Sequence, residues 1–305
     1  MRFFLNILRI PIFSFFIIIN TTLHGALVSI CAPIKFSIPN QIWKDFWERF
    51  SYWIAGGFII TNNFLFKLFY RIEWDIKGLN NLSKNATYLV ICNHLSLLDI
   101  PVAQKIFFKK IPFLRFFIKQ ELVWIPFLGQ ALWALNYPIM KRYSKEKLKK
   151  NPTFRGRDLE TAMRSSEQLR GKNVSILNYP EGTRYTKKKH NQKKSIFSYL
   201  LHPRAGGIHT VLSGLGDQLE ALLDITLVYP GHSSPQLFDF LIGDVSKIVV
   251  RVKILKLGYN GTPSLELIRS KSGSTEVRKF LNELWREKDL LINKIHNETN
   301  KIKNY

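Results

Sequence analysis

From Ile10 to Pro33 the chain runs 24 residues without an aspartate, glutamate, lysine or arginine. No other stretch limits the fold so strongly. Backbone polar groups in hydrocarbon must be satisfied within their own segment, so an apolar run that crosses a bilayer alone has to be a helix. At about 1.5 Å per residue the run reaches roughly 36 Å, enough for a hydrocarbon core of about 30 Å. Asn20 and His24 lie mid-run and weaken the pattern. A secretory signal is the competing reading, but the run exceeds a typical apolar signal core and Ala32-Pro33 makes a poor cleavage site. The expectation is a membrane anchor.

After Pro39 the pattern changes. Ile42, Trp43, Phe46, Trp47, Phe50, Trp53 and Ile54 recur at helical spacing, with Lys44, Asp45, Glu48 and Arg49 between them. Three tryptophans suit the headgroup region of a bilayer, and they suit equally a helix packed on its own domain. Trp53 to Tyr70 is a second apolar run, interrupted by Gly56-Gly57, Asn62-Asn63 and Lys67; it spans, dips into one leaflet or lies on the surface.

From about Arg71 the chain reads as a globular α/β domain. Apolar runs at 87–92, 174–178, 225–229 and 248–254 are strand candidates, and 97–108, 157–170 and 206–213 are helix candidates. Alternation of this kind favours a sheet with helices packed on it. Lys141 to Arg157, with eight basic residues and one glutamate, reads as an exposed connection, and Lys187 to Lys194 as a second basic loop. Gly258 to Gly273 reads as a linker. Val277, Phe280, Leu281, Leu284, Leu291 and Ile295 then mark an amphipathic helix. The expected division is 1–70 anchor, 71–257 main domain and 258–305 linker and terminal helix.

Two motifs carry chemistry. Asn93-His94-Leu95-Ser96-Leu97-Leu98-Asp99 follows the run Tyr88 to Cys92. Histidine is the side chain whose unperturbed pKa lies nearest neutrality, and an aspartate can hold its ring in the proton-accepting tautomer of a general base. Ser96-x-x-Asp99 is also a helix-start signature, which leaves His94 an ordinary loop residue. The two readings are compatible. Tyr179-Pro180-Glu181-Gly182-Thr183-Arg184 follows the second run. Gly182 permits close backbone approach, and Arg184 offers a planar fork for phosphate oxygens. Glu181 orients that arginine or accepts a substrate hydroxyl. A plain surface turn with a Glu–Arg pair is the bland alternative.

Taken together and in this order, about 80 residues apart, the motifs resemble those of the glycerolipid acyltransferase superfamily. More narrowly the chain resembles 1-acylglycerol-3-phosphate (lysophosphatidic acid) acyltransferases, with the nearest likeness to the bacterial YihG-type branch. Trp124 to Gly129, Pro138 to Ser144, Arg155 to Asp158 and Ala205 to Ile208 extend the likeness over most of 70–300. The resemblance implies a mixed α/β sheet flanked by helices behind an N-terminal membrane-anchoring segment. It implies His94 as general base, Asp99 as its orienter, and Lys141, Arg142, Glu181, Gly182, Thr183 and Arg184 as acceptor-binding residues, with Arg184 on the phosphate. Pro230, in Leu227-Val228-Tyr229-Pro230, matches a fourth motif whose usual Val-Pro-Val is absent. The implied reaction moves an acyl group from acyl-CoA or acyl carrier protein to the sn-2 hydroxyl of 1-acylglycerol 3-phosphate. It needs no cofactor and no metal. The implied setting is the cytoplasmic face of a bacterial inner membrane.

Charge sorts the rivals. Forty-five Lys+Arg against 22 Asp+Glu leave +23, a balance that seeks phosphate in nucleic acid, lipid headgroups or substrate. No nucleic-acid module accompanies it, so lipid and a lysophospholipid are the expected partners, not nucleic acid. A non-catalytic membrane scaffold and an acyltransferase for another acceptor, such as glycerol 3-phosphate, are the other readings. Two cysteines, Cys31 and Cys92, supply neither a disulfide framework nor zinc spacing.

Overall fold

The computed structural model describes residues 2–140 and 169–303. The chain divides into two compact units, one of residues 1–71, 101–108 and 115–161, the other of 72–100, 109–114 and 162–305.

The first unit is built on two long helices, α1 (Arg2–Ser37) and α2 (Gln41–Phe69). Asn40 starts α2 by accepting the Trp43 N–H at 3.1 Å, which satisfies one of the donors a helix start leaves free. The residues that weakened the apolar run now have partners. Asn20 Nδ2 donates to Asn62 Oδ1 at 2.9 Å and to the Phe58 carbonyl at 3.1 Å, and His24 Nδ1 lies 3.0 Å from the Asn20 carbonyl. Phe13, Val28, Cys31 and Ala32 of α1 are buried, as are Ile54, Ile59 and Leu65 of α2. Outward, α1 exposes Phe15, Ile18, Leu23, Leu27 and Ile30, and α2 exposes Ile42, Phe46, Phe50, Trp53, Ile60 and Phe64. Residues Ile7–Ser37 are long and apolar enough to cross a membrane.

α2 is one uninterrupted helix where the sequence suggested an amphipathic segment and a separate broken run. Gly56-Gly57 does not break it, because both glycines are contact points. A Cβ on Gly57 would meet the His24 ring at 3.0 Å, and one on Gly56 would meet the Phe108 ring at 3.4 Å. The aromatic residues of α2 also divide between the two offered readings. Trp43 donates from its indole to the Ile34 carbonyl at 2.8 Å, whereas Trp53 is 73% exposed.

The second unit holds the sheet. Its strands are β1 (Glu73–Lys77), β2 (Tyr88–Cys92), β6 (Ser175–Asn178), β7 (Ala221–Val228) and β8 (Lys247–Leu255), and β3 (Leu114–Phe116), of which only Leu114 falls in this unit, ends the order β1-β8-β7-β2-β6-β3. The labels β4 and β5 belong to a separate two-stranded pair, Ile118–Lys119 with Ile139–Met140. β2 runs parallel to both β6 and β7, whereas β7 and β8 are antiparallel, so the sheet is mixed. All five residues of β2 and all eight of β7 are buried, as expected for central strands covered on both faces. The remaining helices are α3 (Asp99–Phe107), α4 (Leu128–Ala134), α5 (Lys187–Gln192), α6 (Ala205–Leu215), α7 (Leu237–Leu241), α8 (Leu265–Arg269) and α9 (Gly273–Lys303).

The long strands and helices fall where the apolar runs placed them, but β1, β3, the β4–β5 pair, α4 and α7 were not anticipated, and α5 and α8 stand where a loop and a linker were expected. β1 was missed because Glu-Trp-Asp-Ile-Lys is an edge strand, paired on one side only and half polar. Lys187 to Gln192 is a helix and not a loop, because Thr186 accepts the Lys189 N–H at 3.2 Å and caps it. The linker 258–273 contains α8, capped by Ser264. The helix candidate 157–170 and the basic connection 141–157 lie outside the described residues, apart from a turn at 169–170.

An ion pair ties α9 to the sheet. Lys288 Nζ donates to Asp224 Oδ1 at 2.6 Å and also to the Ile225 carbonyl, with no side-chain exposure at Lys288 and 6% at Asp224. Burial pushes the Asp224 carboxyl up, and Lys288 opposes that rise. Removing one member of such a pair strands the other, at a cost of about 3–5 kcal/mol. Lys288→Met is therefore expected to destabilise the protein by about that much in denaturant unfolding, and the double variant Asp224→Asn, Lys288→Met is expected to recover most of the loss.

Candidate functional site

β2, β6 and β7 run in the same direction, so the loops that follow them leave one edge of the sheet together. Ligand sites in such sheets form at the carboxyl ends of strands. Those loops carry His94 to Asp99, Tyr179 to Arg184 and Tyr229 to Pro235. Asn93 closes the edge: its Nδ2 donates to the Leu227 carbonyl at 2.8 Å and its Oδ1 accepts the Leu227 N–H at 2.9 Å.

Asp99 is fully buried at the start of α3. Its Oδ2 accepts from His94 Nδ1 at 2.8 Å, from the Leu95 N–H at 2.7 Å and from the Ser96 N–H at 2.9 Å. Its Oδ1 accepts from the Tyr229 hydroxyl at 2.9 Å. Ser96 completes the cap by accepting the Leu98 N–H at 3.2 Å while its own hydroxyl donates to the Pro235 carbonyl at 2.7 Å. The helix cap and the His–Asp pair are thus the same structure. A carboxylate surrounded by donors has no proton of its own to give, so His94 Nδ1 is the donor and Nε2 carries the ring's lone pair. The ring stacks on Tyr179, with centroids 4.1 Å apart and planes at 20°. The His94 side chain keeps 17% of its surface exposed.

Glu181 lies under the same loop. It is fully buried, with Oε1 accepting the His94 N–H and Oε2 the Leu201 N–H, both at 3.2 Å. Burial pushes its carboxyl up to about 8, against the lowering effects of those two N–H groups and Lys288. Gly182 has φ +67°, a left-handed conformation that glycine adopts at no steric cost. It closes the turn by donating its N–H to the Tyr179 carbonyl at 2.9 Å. The loop is bound to its neighbours through backbone: the Tyr185 N–H donates to the His94 carbonyl at 2.7 Å and the Arg204 N–H to the Pro180 carbonyl at 2.8 Å.

The other sequence-derived site residues take distinct places. Arg184 is exposed, and Thr183 accepts from Lys189 Nζ at 2.7 Å. Pro230 is buried in the turn after β7; its neighbour Tyr229 is the residue that reaches Asp99. Lys141 and Arg142 lie outside the described residues. Neither motif pattern points to a role for Tyr179 or Tyr229. For Tyr229 a signal existed, since a tyrosine closing a fully apolar strand needs a partner for its hydroxyl. No group of metal-binding side chains occurs among the described residues.

Residues 73–215 match the Acyltransferase family model. The stretch includes both motif loops. Among curated proteins, 1-acyl-sn-glycerol-3-phosphate acyltransferase gamma from Homo sapiens is 26% identical over 183 residues, which is 57% of this chain and 43% of that protein. The epsilon form from Mus musculus is 22% identical over 234 residues, 70% of this chain and 59% of that one. Lysocardiolipin acyltransferase 1 from Danio rerio is 27% identical over 126 residues, 38% of this chain and 30% of that one. The chain thus spans less than two thirds of the length of these relatives. Among solved structures, the 1-acyl-sn-glycerophosphate acyltransferase PlsC from Thermotoga maritima shares the fold, with TM-score 0.57 and 17% identity over 95% of this chain and 98% of that one.

The raised carboxyl of Glu181 has a pH signature. A group whose folded pKa lies above its unfolded value holds extra protons in the native state, so its contribution is most favourable below the unfolded value of about 4.5 and is lost as pH rises through about 8. Glu181→Gln removes this dependence. In thermal unfolding, the melting temperature of the wild type relative to Glu181→Gln is expected to fall as pH goes from 4.5 to 8. A difference that stays flat across that window contradicts the buried, raised carboxyl.

Proposed function

We propose that this protein is a membrane-associated O-acyltransferase that moves a fatty acyl group from a thioester donor, acyl-CoA or acyl carrier protein, to the sn-2 hydroxyl of 1-acylglycerol 3-phosphate, giving phosphatidic acid. The observation that carries the reading is the His94–Asp99 pair, with Nδ1 held by Asp99 and the ring partly exposed, inside a stretch that matches the Acyltransferase family model. The names of the gamma and epsilon relatives supply the acceptor class.

In this mechanism His94 Nε2 takes the proton of the acceptor hydroxyl as its oxygen attacks the thioester carbonyl. Asp99 keeps the ring oriented and stabilises the imidazolium without taking the proton. The tetrahedral intermediate collapses, the carbon–sulfur bond breaks, and the thiolate leaves with the proton that His94 returns. Product ester and free thiol balance the two reactants. No nucleophilic side chain is required, and Ser96 is committed to its cap. Arg184, exposed at the end of the second loop, is assigned to the acceptor phosphate, where a guanidinium binds two oxygens at once. Glu181 serves by holding the His94 backbone.

Membrane attachment is assigned to α1, whose length and outward apolar side chains fit a bilayer. The catalytic unit then faces the cytoplasm of a bacterial cell, where soluble thioester donors occur. The buried, unpaired thiols of Cys31 and Cys92 agree with a reducing compartment. A second acceptor reading has one specific support, the likeness to a lysocardiolipin acyltransferase: the acceptor is then another lysophospholipid, with the same base and the same phosphate contact.

Two variants test the assignment in isolated membranes supplied with a thioester donor and a panel of lysophospholipids. His94→Ala is expected to lower acyl transfer by about 10²–10⁴-fold, the usual contribution of a general base, with the protein still in the membrane fraction. Undiminished transfer would remove His94 from the mechanism. Arg184→Ala is expected to raise the KM for the acceptor by about tenfold or more, the worth of a charge-assisted hydrogen bond. A rise confined to the donor KM would reassign Arg184 to the thioester's phosphates.

A further inference from the structure

Asp99 Oδ2 is held three times over, by His94 Nδ1, Leu95 N and Ser96 N, but among the described residues Oδ1 has a single donor, the Tyr229 hydroxyl at 2.9 Å. Tyr229 follows directly after β7 and is fully buried. It stands in the stretch Leu227 to Pro230, where the resemblance leads one to expect Val-Pro-Val. We propose that Tyr229 is a positioning residue of the dyad. Its hydroxyl fixes the second carboxylate oxygen, which sets the plane of the carboxylate and so the line from Oδ2 to His94 Nδ1. By sharing the carboxylate's negative charge it also limits how tightly Asp99 holds the imidazolium, which lets His94 return its proton to the leaving thiolate. This rests on His94 being the base of the proposed transfer.

The alternative is that Tyr229 merely joins the end of β7 to the loop after β2. The structure supplies that join by other means. Asn93 clasps Leu227 through two hydrogen bonds. Ser234 donates to the carbonyls of Leu95 and Tyr185 at 2.9 and 2.8 Å, and Ser96 donates to the Pro235 carbonyl. Removing one phenolic oxygen leaves all of these in place. Burial and the Asp99 carboxylate both push the Tyr229 hydroxyl well above its ordinary range, so it remains a neutral donor. The other ionisable groups acting on this cluster are Cys92 at the end of β2, Tyr179 and Glu181 after β6, and Lys288 on α9. None of these is altered by the test.

The test is Tyr229→Phe in the full-length protein in membranes. Loss of the hydroxyl concentrates charge on Asp99, so the imidazolium is held more tightly. The kcat is expected to fall about tenfold with the acceptor KM unchanged, and the acid limb of the kcat/KM profile is expected to move to higher pH by about half a unit. In an Asp99→Asn background the further change Tyr229→Phe is expected to alter kcat less than about twofold, because the two residues act through one interaction. A second measurement does not depend on the reaction. The rate at which diethyl pyrocarbonate modifies His94, followed by mass spectrometry of its peptide, rises as the ring loses its proton, and its midpoint is expected to move up by the same amount. If His94→Ala keeps full activity, the base assignment falls, and this midpoint still reports whether Tyr229 acts on His94. An unchanged midpoint and acid limb, or a kcat loss just as large in the Asp99→Asn background, overturns the proposal.

Discussion

Asp99 has no exposed surface, and a carboxylate taken out of water survives only where donors replace the water it has lost. Four do so, from His94, Leu95, Ser96 and Tyr229. The first three lie within five residues of Asp99 and come together when α3 starts where it does. The fourth lies 130 residues away and comes into reach only because β7 pairs in parallel with β2, Cys92 opposite Ile225. The sheet register and the helix start therefore meet at one side chain. The orientation of His94 follows from that meeting, and so does the free lone pair on which the proposed chemistry depends.

A second buried carboxylate supports the first from below and is built differently. Glu181 has one backbone N–H on each oxygen, too few to offset its burial, and its carboxyl rises to about 8. Two acids within one cluster are thus held for different ends: one orients a ring, the other carries the backbone that bears the ring. Gly182 makes the second arrangement possible. Its left-handed φ turns the chain sharply after Glu181, so that this side chain points inward while Arg184, three residues on, reaches the surface. The short motif Glu-Gly-Thr-Arg thus sends its acid to a buried site and its base to the surface, and a surface Glu–Arg pair is not what it forms.

These particulars mark the limit of what a linear reading can see. β2, β6, β7 and β8 were legible because central strands need continuous apolar residues, and β1 was not because an edge strand does not. The His94–Asp99 pair was legible because its spacing is also a helix start. Glu181 was legible as a position but not as a buried one, since the backbone that meets its second oxygen, at Leu201, comes from a later segment of the chain. Tyr229 and the Lys288–Asp224 pair are contacts across 130 and 64 residues, with no periodicity to betray them. Asp224 is the one charged residue of β7, and that exception was the trace of the pairing. Charged or polar exceptions to a clean pattern were more informative than the pattern itself.

The same holds for the N-terminal hairpin. Asn20 and Asn62 interrupt two apolar helices and looked like reasons to doubt a bilayer. In the folded unit they bond to each other, while Phe15, Ile18, Leu23, Ile30, Phe46 and Trp53 face outward. A water-soluble helix pair keeps its outward faces polar. Exposing so many large apolar side chains to water is costly, whereas in hydrocarbon the cost disappears and an unpaired amide becomes the expensive group. The bond from Asn20 Nδ2 to Asn62 Oδ1 reduces that expense, and Asn20 Oδ1 is left without a partner among the described residues. One solvent, the bilayer to which the proposed reading attaches α1, makes sense of both observations.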